Sequence, residues 1–97
     1  MVPEPSEPAG DPAAAPEAVR LRQLRVIVDL TSAVLMQGRL TAAEGELLVE
    51  RARGRILALF PGKDATYDLI LAPRFARLRR EFTRPARVLQ LLRRAGD

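Results

Sequence analysis

Histidine, cysteine and tryptophan are all missing from this 97-residue chain. The first absence removes imidazole acid-base catalysis and the Ser-His nucleophile. The second removes thiolate chemistry, and the two together remove the ordinary zinc and iron-sulfur sites. No disulfide framework is available, so the fold has to stand on its core or on a partner. Aromatic rings are few, one Tyr and three Phe. Lysine is scarcer still, with Lys63 the single Lys among 16 basic residues. Arginine suits phosphate and carboxylate, but Arg in place of Lys throughout a chain rich in Ala, Pro and Gly also fits a GC-rich, bacterial-like genome.

Long hydrophobic runs are missing too. Val26 to Met36 is the longest mostly apolar stretch, and Asp29 interrupts it; a bilayer span needs roughly twenty residues. The start, Met1-Val2-Pro3-Glu4, offers proline and acid where a secretory leader would be basic and then apolar, so a cytoplasmic location is expected. No Gly-containing stretch matches a phosphate loop, a dinucleotide fingerprint or a nucleophile elbow. Asp64 and Asp68 stand four apart, but two carboxylates are too few for a hard cation, and their place at a helix start explains them. The expectation is a non-enzymatic protein with no cofactor and no metal.

What is present is helical patterning, and it predicts an all-α fold: a small helical bundle built on an antiparallel helical hairpin. Residues 1–16, crowded with Pro, Ala and unanswered acid, read as a disordered tail that leaves about eighty residues for a core. Residues 17–60 read as the hairpin. Its first helix opens near Pro16 and stops at Gly38, and its wheel gathers Leu21, Leu24, Ile27, Val28, Leu30, Thr31, Val34 and Leu35 on one broad arc. Arg22, Arg25, Asp29 and Ser32 share the other side, where Arg25 and Asp29 should pair. An arc that wide should meet two neighbouring elements.

Thr41 and Glu44 form the pattern of a capping box, so a second helix, Ala42 to Phe60, should follow after a very short connection. Gly45 lies within its apolar arc beside Ala52, which suggests a close helix approach. Residues 61–97 read as C-terminal helices with an Arg-rich face. Asp64 should cap a helix from Ala65 to Ala72, Pro73 should interrupt it, and Phe75, Leu78, Phe82, Leu89 and Leu92 should form a later stripe that kinks or restarts at Thr83-Arg84-Pro85. Four or five helices are expected in total.

Charge is unevenly placed. Residues 1–37 hold three bases and five acids, net −2, whereas residues 63–97 hold nine bases and four acids, net +5. Arg77, Arg80, Arg84 and Arg87 fall within about 80° of the wheel, opposite the apolar stripe. Such a face can meet an acidic protein surface or follow a phosphate backbone. Two features weigh against nucleic acid: every aromatic fits a core position, leaving no stacking platform, and the second helix presents Glu44, Glu46 and Glu50 where a recognition helix would carry base.

The sequence therefore points to a small protein-protein interaction module or accessory subunit of a larger assembly, possibly self-associating. Its contact candidates are the apolar arc Leu24, Ile27, Val28, Val34 and Leu35 and the basic face Arg77, Arg80, Arg84 and Arg87. The alternative is a nucleic-acid-associated protein that contacts phosphate through the same arginines. Contact with a membrane surface is not expected.

Overall fold

The computed structural model describes residues 10–84. They form an all-α fold with a 3-10 turn at Pro12–Ala14 and three helices: α1 (Glu17–Met36), α2 (Ala42–Leu59) and α3 (Asp64–Phe82). Residues 1–9 of the expected tail lie outside the described residues. From Gly10 onward the chain is placed: Asp11 Oδ1 accepts from Ala13 N at 2.9 Å and so caps the 3-10 turn, which packs against α2.

Each boundary has a local cause. Glu17 lies in the first turn of α1, favourable at the positive end of the dipole, and Gly38, at φ +74°, takes up the left-handed conformation that ends it. Thr41 and Glu44 make both halves of the capping box: Glu44 N donates to Thr41 Oγ1 at 3.1 Å, and Thr41 N donates to Glu44 Oε1 at 2.9 Å. The expected cap of α3 is different. Lys63 occupies the N-cap without a side-chain bond, and Asp64 is the first helical residue, its carboxylate 3.4 Å from Arg53 Nη2. Asp64 answers a guanidinium on α2 instead of its own helix end.

The largest departure from expectation is α3, which runs uninterrupted through Pro73. Among the described residues one helix, α3, therefore stands where two were expected on either side of Pro73. A mid-helix proline removes the donor for the carbonyl four residues back and strains the turn, at about 3 kcal/mol. Here that carbonyl belongs to Leu69, and both Leu69 and Pro73 are exposed, so the carbonyl is open to water. Tyr67 before the proline and Phe75 and Leu78 after it are all buried. Burial worth roughly 1.5–3 kcal/mol per side chain on both flanks holds the helix together across the defect.

The core gathers Val28 and Leu35 from α1, Ile56 from α2, and Tyr67, Phe75 and Leu78 from α3. Leu35 and Phe75 have no exposed surface. The α1 arc meets both other helices, as its width required. Ser32 departs from its assigned side and is buried, and Arg25 and Asp29 do not pair; the ion pairs among the described residues are Arg53–Asp64 and Arg77–Glu81.

Three contacts fix the direction of each helix. Near the start of α1, the Arg20 guanidinium donates to the Leu59 carbonyl at the end of α2. Near its end, Leu35 faces Gly45 in the first turn of α2. Past α3, Arg84 N donates to the Leu40 carbonyl at 2.9 Å and Ala42 N donates to the Arg84 carbonyl at 2.8 Å, which fastens the end of α3 to the connection between α1 and α2.

Candidate functional site

The sequence-derived arc divides once it is placed. Val28 and Leu35 belong to the core, Leu24 and Ile27 are half-buried against it, and Val34 is half-buried. Val28 and Leu35 hold the chain's own helices together, whereas Leu24 also lines an open cleft and Ile27 and Val34 a groove. The apolar side chains left outside are others: Leu21, Val26, Leu30, Met36, Leu47, Leu69 and Ile70 are all roughly half or more exposed. Leu69 leads at 77%. Isolated exposed leucines are ordinary, but several beside one concavity mark a contact surface.

Among the described residues two concavities have such side chains on their lining. The first, of about 320 Å³, opens where the start of α1, the end of α2 and the first half of α3 meet. Leu21, Leu24, Ile56, Leu57, Phe60, Tyr67, Ile70 and Leu71 line it, with Thr66 and Lys63 as its polar members. Leu21 and Ile70 are its exposed lips, and Leu69 stands beside Ile70 on α3.

The second is a groove of about 350 Å³ between α1 and α2. Val26, Ile27, Leu30, Thr31 and Val34 form one wall, and Leu48, Arg51, Ala52 and Arg55 the other. It shares Val26, Ile27 and Arg55 with an adjoining depression toward Gly10–Ala15, where Arg22 joins the rim.

Two arginines are committed to structure. Arg20 stacks over the Phe60 ring at 4.9 Å while its Nε donates to the Ala15 carbonyl and its Nη1 to Leu59. That guanidinium satisfies a carbonyl left over at the end of α2. Arg53 lies over the Tyr67 ring at 5.5 Å and reaches Asp64, joining α2 to α3.

Tyr67 is 4% exposed, and its hydroxyl has no hydrogen-bond partner among the described residues. Burial pushes its pKa above the ordinary tyrosine value; Arg53 opposes that shift, and Glu50 and Asp68 add to it. A phenol held neutral by apolar surroundings packs as a ring, tilted 45° to Phe75 at a centroid distance of 6.5 Å.

On the basic face, Arg77, Arg80 and Arg84 are exposed and Arg87 lies outside the described residues. Arg77 spends part of its charge on Glu81, 4.0 Å away. Arg84 is fixed through its backbone to Leu40 and Ala42, so its side chain projects from a held position. The expected continuation of the stripe through Leu89 and Leu92, and the restart at Pro85, also fall outside the described residues.

Sequence reasoning missed Val26, Leu69, Ile70, Arg51 and Arg55. Val26 opens the apolar run, and Leu69-Ile70-Leu71 is a three-residue apolar block that one helix face cannot bury whole; both were visible signals. Arg51 and Arg55 carry no signal until α1 lies beside them. Among the described residues no helix is long and apolar enough to cross a membrane, and no group of three or more acidic, His or Cys side chains gathers to hold a metal ion. The chain matches no protein-family model, no curated protein and no solved structure.

Proposed function

We propose that this chain is a small non-enzymatic protein-interaction module, an antiparallel helical hairpin completed by a third helix, that self-associates or serves as an accessory subunit of a larger assembly. One observation carries the reading. The apolar cleft bordered by the exposed Leu21 and Ile70 is left open after the three helices have packed. A domain this small has little stability to spare, so apolar surface left in water next to a concavity is surface a second chain can cover. A second copy is the first partner to test, because Leu21 and Ile70 stand exposed at the mouth of an apolar recess, and an isologous two-fold contact covers such a patch on both chains at once.

Size-exclusion chromatography with light scattering, recorded at 260 and 280 nm on protein purified without nuclease, tests this. The expected result is a dimer or larger species with a protein-like spectrum, which Leu21→Gln with Ile70→Gln converts to a folded monomer. A wild-type monomer at every concentration that also captures no protein through this cleft would overturn the reading.

A second reading has its own observation: Arg74, Arg77, Arg80 and Arg84 are exposed along α3 and just beyond, and of these only Arg77 pairs with an acid among the described residues. It predicts a strong 260 nm signal that high salt removes, since each phosphate contact releases counterions. Arg77→Glu, Arg80→Glu, Arg84→Glu and Arg87→Glu together should abolish that signal and leave helicity intact; persistence of the signal would dismiss phosphate contact.

A further inference from the structure

The groove between α1 and α2 is distinct from the cleft that supports self-association, and its chemistry differs. Its α1 wall is aliphatic apart from Thr31, with Val26 57% and Leu30 61% exposed, and among the described residues no aromatic lines it. Its other wall carries Arg51 and Arg55, one helical turn apart on α2, both exposed. Arg22 extends that rim along the adjoining depression. None of the three forms an ion pair among the described residues, and no acidic residue lines the groove itself. Asp11 lines only the far depression, where its carboxylate is occupied with Ala13 N.

From this we infer that the α1–α2 groove is a docking site for an acidic amphipathic helix of a partner protein. Val26, Leu30 and Val34 repeat every four residues, so this wall is about 12 Å long at 1.5 Å per residue. That length takes two turns of a partner helix and reads aliphatic anchors at i, i+3 or i+4, and i+7. Arg51 and Arg55 then meet Asp or Glu on the flank of that helix which lies toward α2. The apolar wall gives affinity, and the one-sided charge fixes which flank of the helix faces which wall. A nucleic acid would find no base-stacking surface here. A second copy would bring its own arginines against these.

The test uses the full chain and a capped, dye-labelled peptide of about 18 residues with leucines at that spacing and glutamates on its remaining faces, together with a counterpart carrying lysine for every glutamate. Anisotropy should show that the Glu peptide binds and that the Lys peptide binds at least tenfold more weakly. Arg51→Glu with Arg55→Glu should invert that preference, and Leu30→Gln should weaken both peptides. Methyl shifts induced by the Glu peptide should fall on Val26, Leu30 and Val34. Equal affinity for both peptides, no binding of the Glu peptide, or shifts centred on Leu21 and Ile70 would each overturn the assignment. Leu21→Gln with Ile70→Gln should leave peptide binding unchanged, so loss of self-association and loss of helix docking are separately visible.

Discussion

A β-carbon placed on Gly45 would stand 2.7 Å from Cγ2 of Thr83, closer than two non-bonded carbons approach without something shifting. Thr83 closes α3, and its hydroxyl donates to the Arg79 carbonyl, so its methyl is directed at α2 by its own bond. Gly45→Ala should lower stability by about 1–2 kcal/mol despite the better helix propensity of alanine. Thr83→Ala should recover most of that loss in the double variant, the sign of direct coupling. Gly54 is the control: a β-carbon there would meet no other part of the described residues within 4 Å, so Gly54→Ala should stabilise by up to about 1 kcal/mol. Urea titrations of the four variants decide it; equal effects at both glycines would contradict the close approach.

Pro73 gives a prediction of opposite sign. Pro73→Ala restores a donor to the Leu69 carbonyl without touching the core, and should raise stability by roughly 1–3 kcal/mol. A melting temperature that falls instead would mean that the backbone geometry proline imposes at position 73 is required to seat Phe75.

Side chains with similar chemistry on α1 should behave very differently. Leu35→Ala removes a fully buried side chain and should cost about 2–5 kcal/mol, whereas Leu30→Ala, at 61% exposure, should stay within about 0.5 kcal/mol. Val28→Asp and Leu35→Asp should unfold the chain outright. A folded Leu35→Asp protein would refute the core described above.

Tyr67 is the only tyrosine in a chain without tryptophan, so its ionisation can be followed directly by tyrosinate absorbance. Because its pKa is raised by burial, the unfolded phenol ionises first, near the ordinary pKa of about 10, while the folded one stays neutral. The unfolded state then binds fewer protons, so stability is full below about pH 10 and declines as pH rises above it. Tyr67→Phe should flatten that decline and be neutral or slightly stabilising, since the hydroxyl it deletes has no partner. An unshifted absorbance titration would show the ring to be solvated.

What could be read from the sequence was what is local. The Thr41–Glu44 box, the stop at Gly38 and the start of α1 depend on neighbours within four residues, and each stands where the spacing put it. Pro73 was misread because local propensity counts the lost donor but not the burial of Tyr67, Phe75 and Leu78 around it. Asp64 was misread because its partner, Arg53, is on another helix. Gly45 lies between these cases: its place on an apolar arc announced a close neighbour, but Thr83, 38 residues further on, could not be named from a wheel. The wheel of α1 likewise marked Leu21 and Leu30 as apolar, yet only the position of α2 and α3 decides which members of that arc face a core and which face an opening.

The clamp that joins Arg84 to Leu40 and Ala42 lies at one end of the bundle, and the turn at Pro12–Ala14 lies near the other, beside Leu59. Tension applied between residues 10 and 84 therefore runs along the helix axes, over roughly the 27 Å of an 18-residue helix. It bears on two backbone hydrogen bonds at one pole and on the Arg20 guanidinium near the other. The described residues thus have their two grips at opposite ends of α2, and the one near Leu59 borders the depression that adjoins the groove.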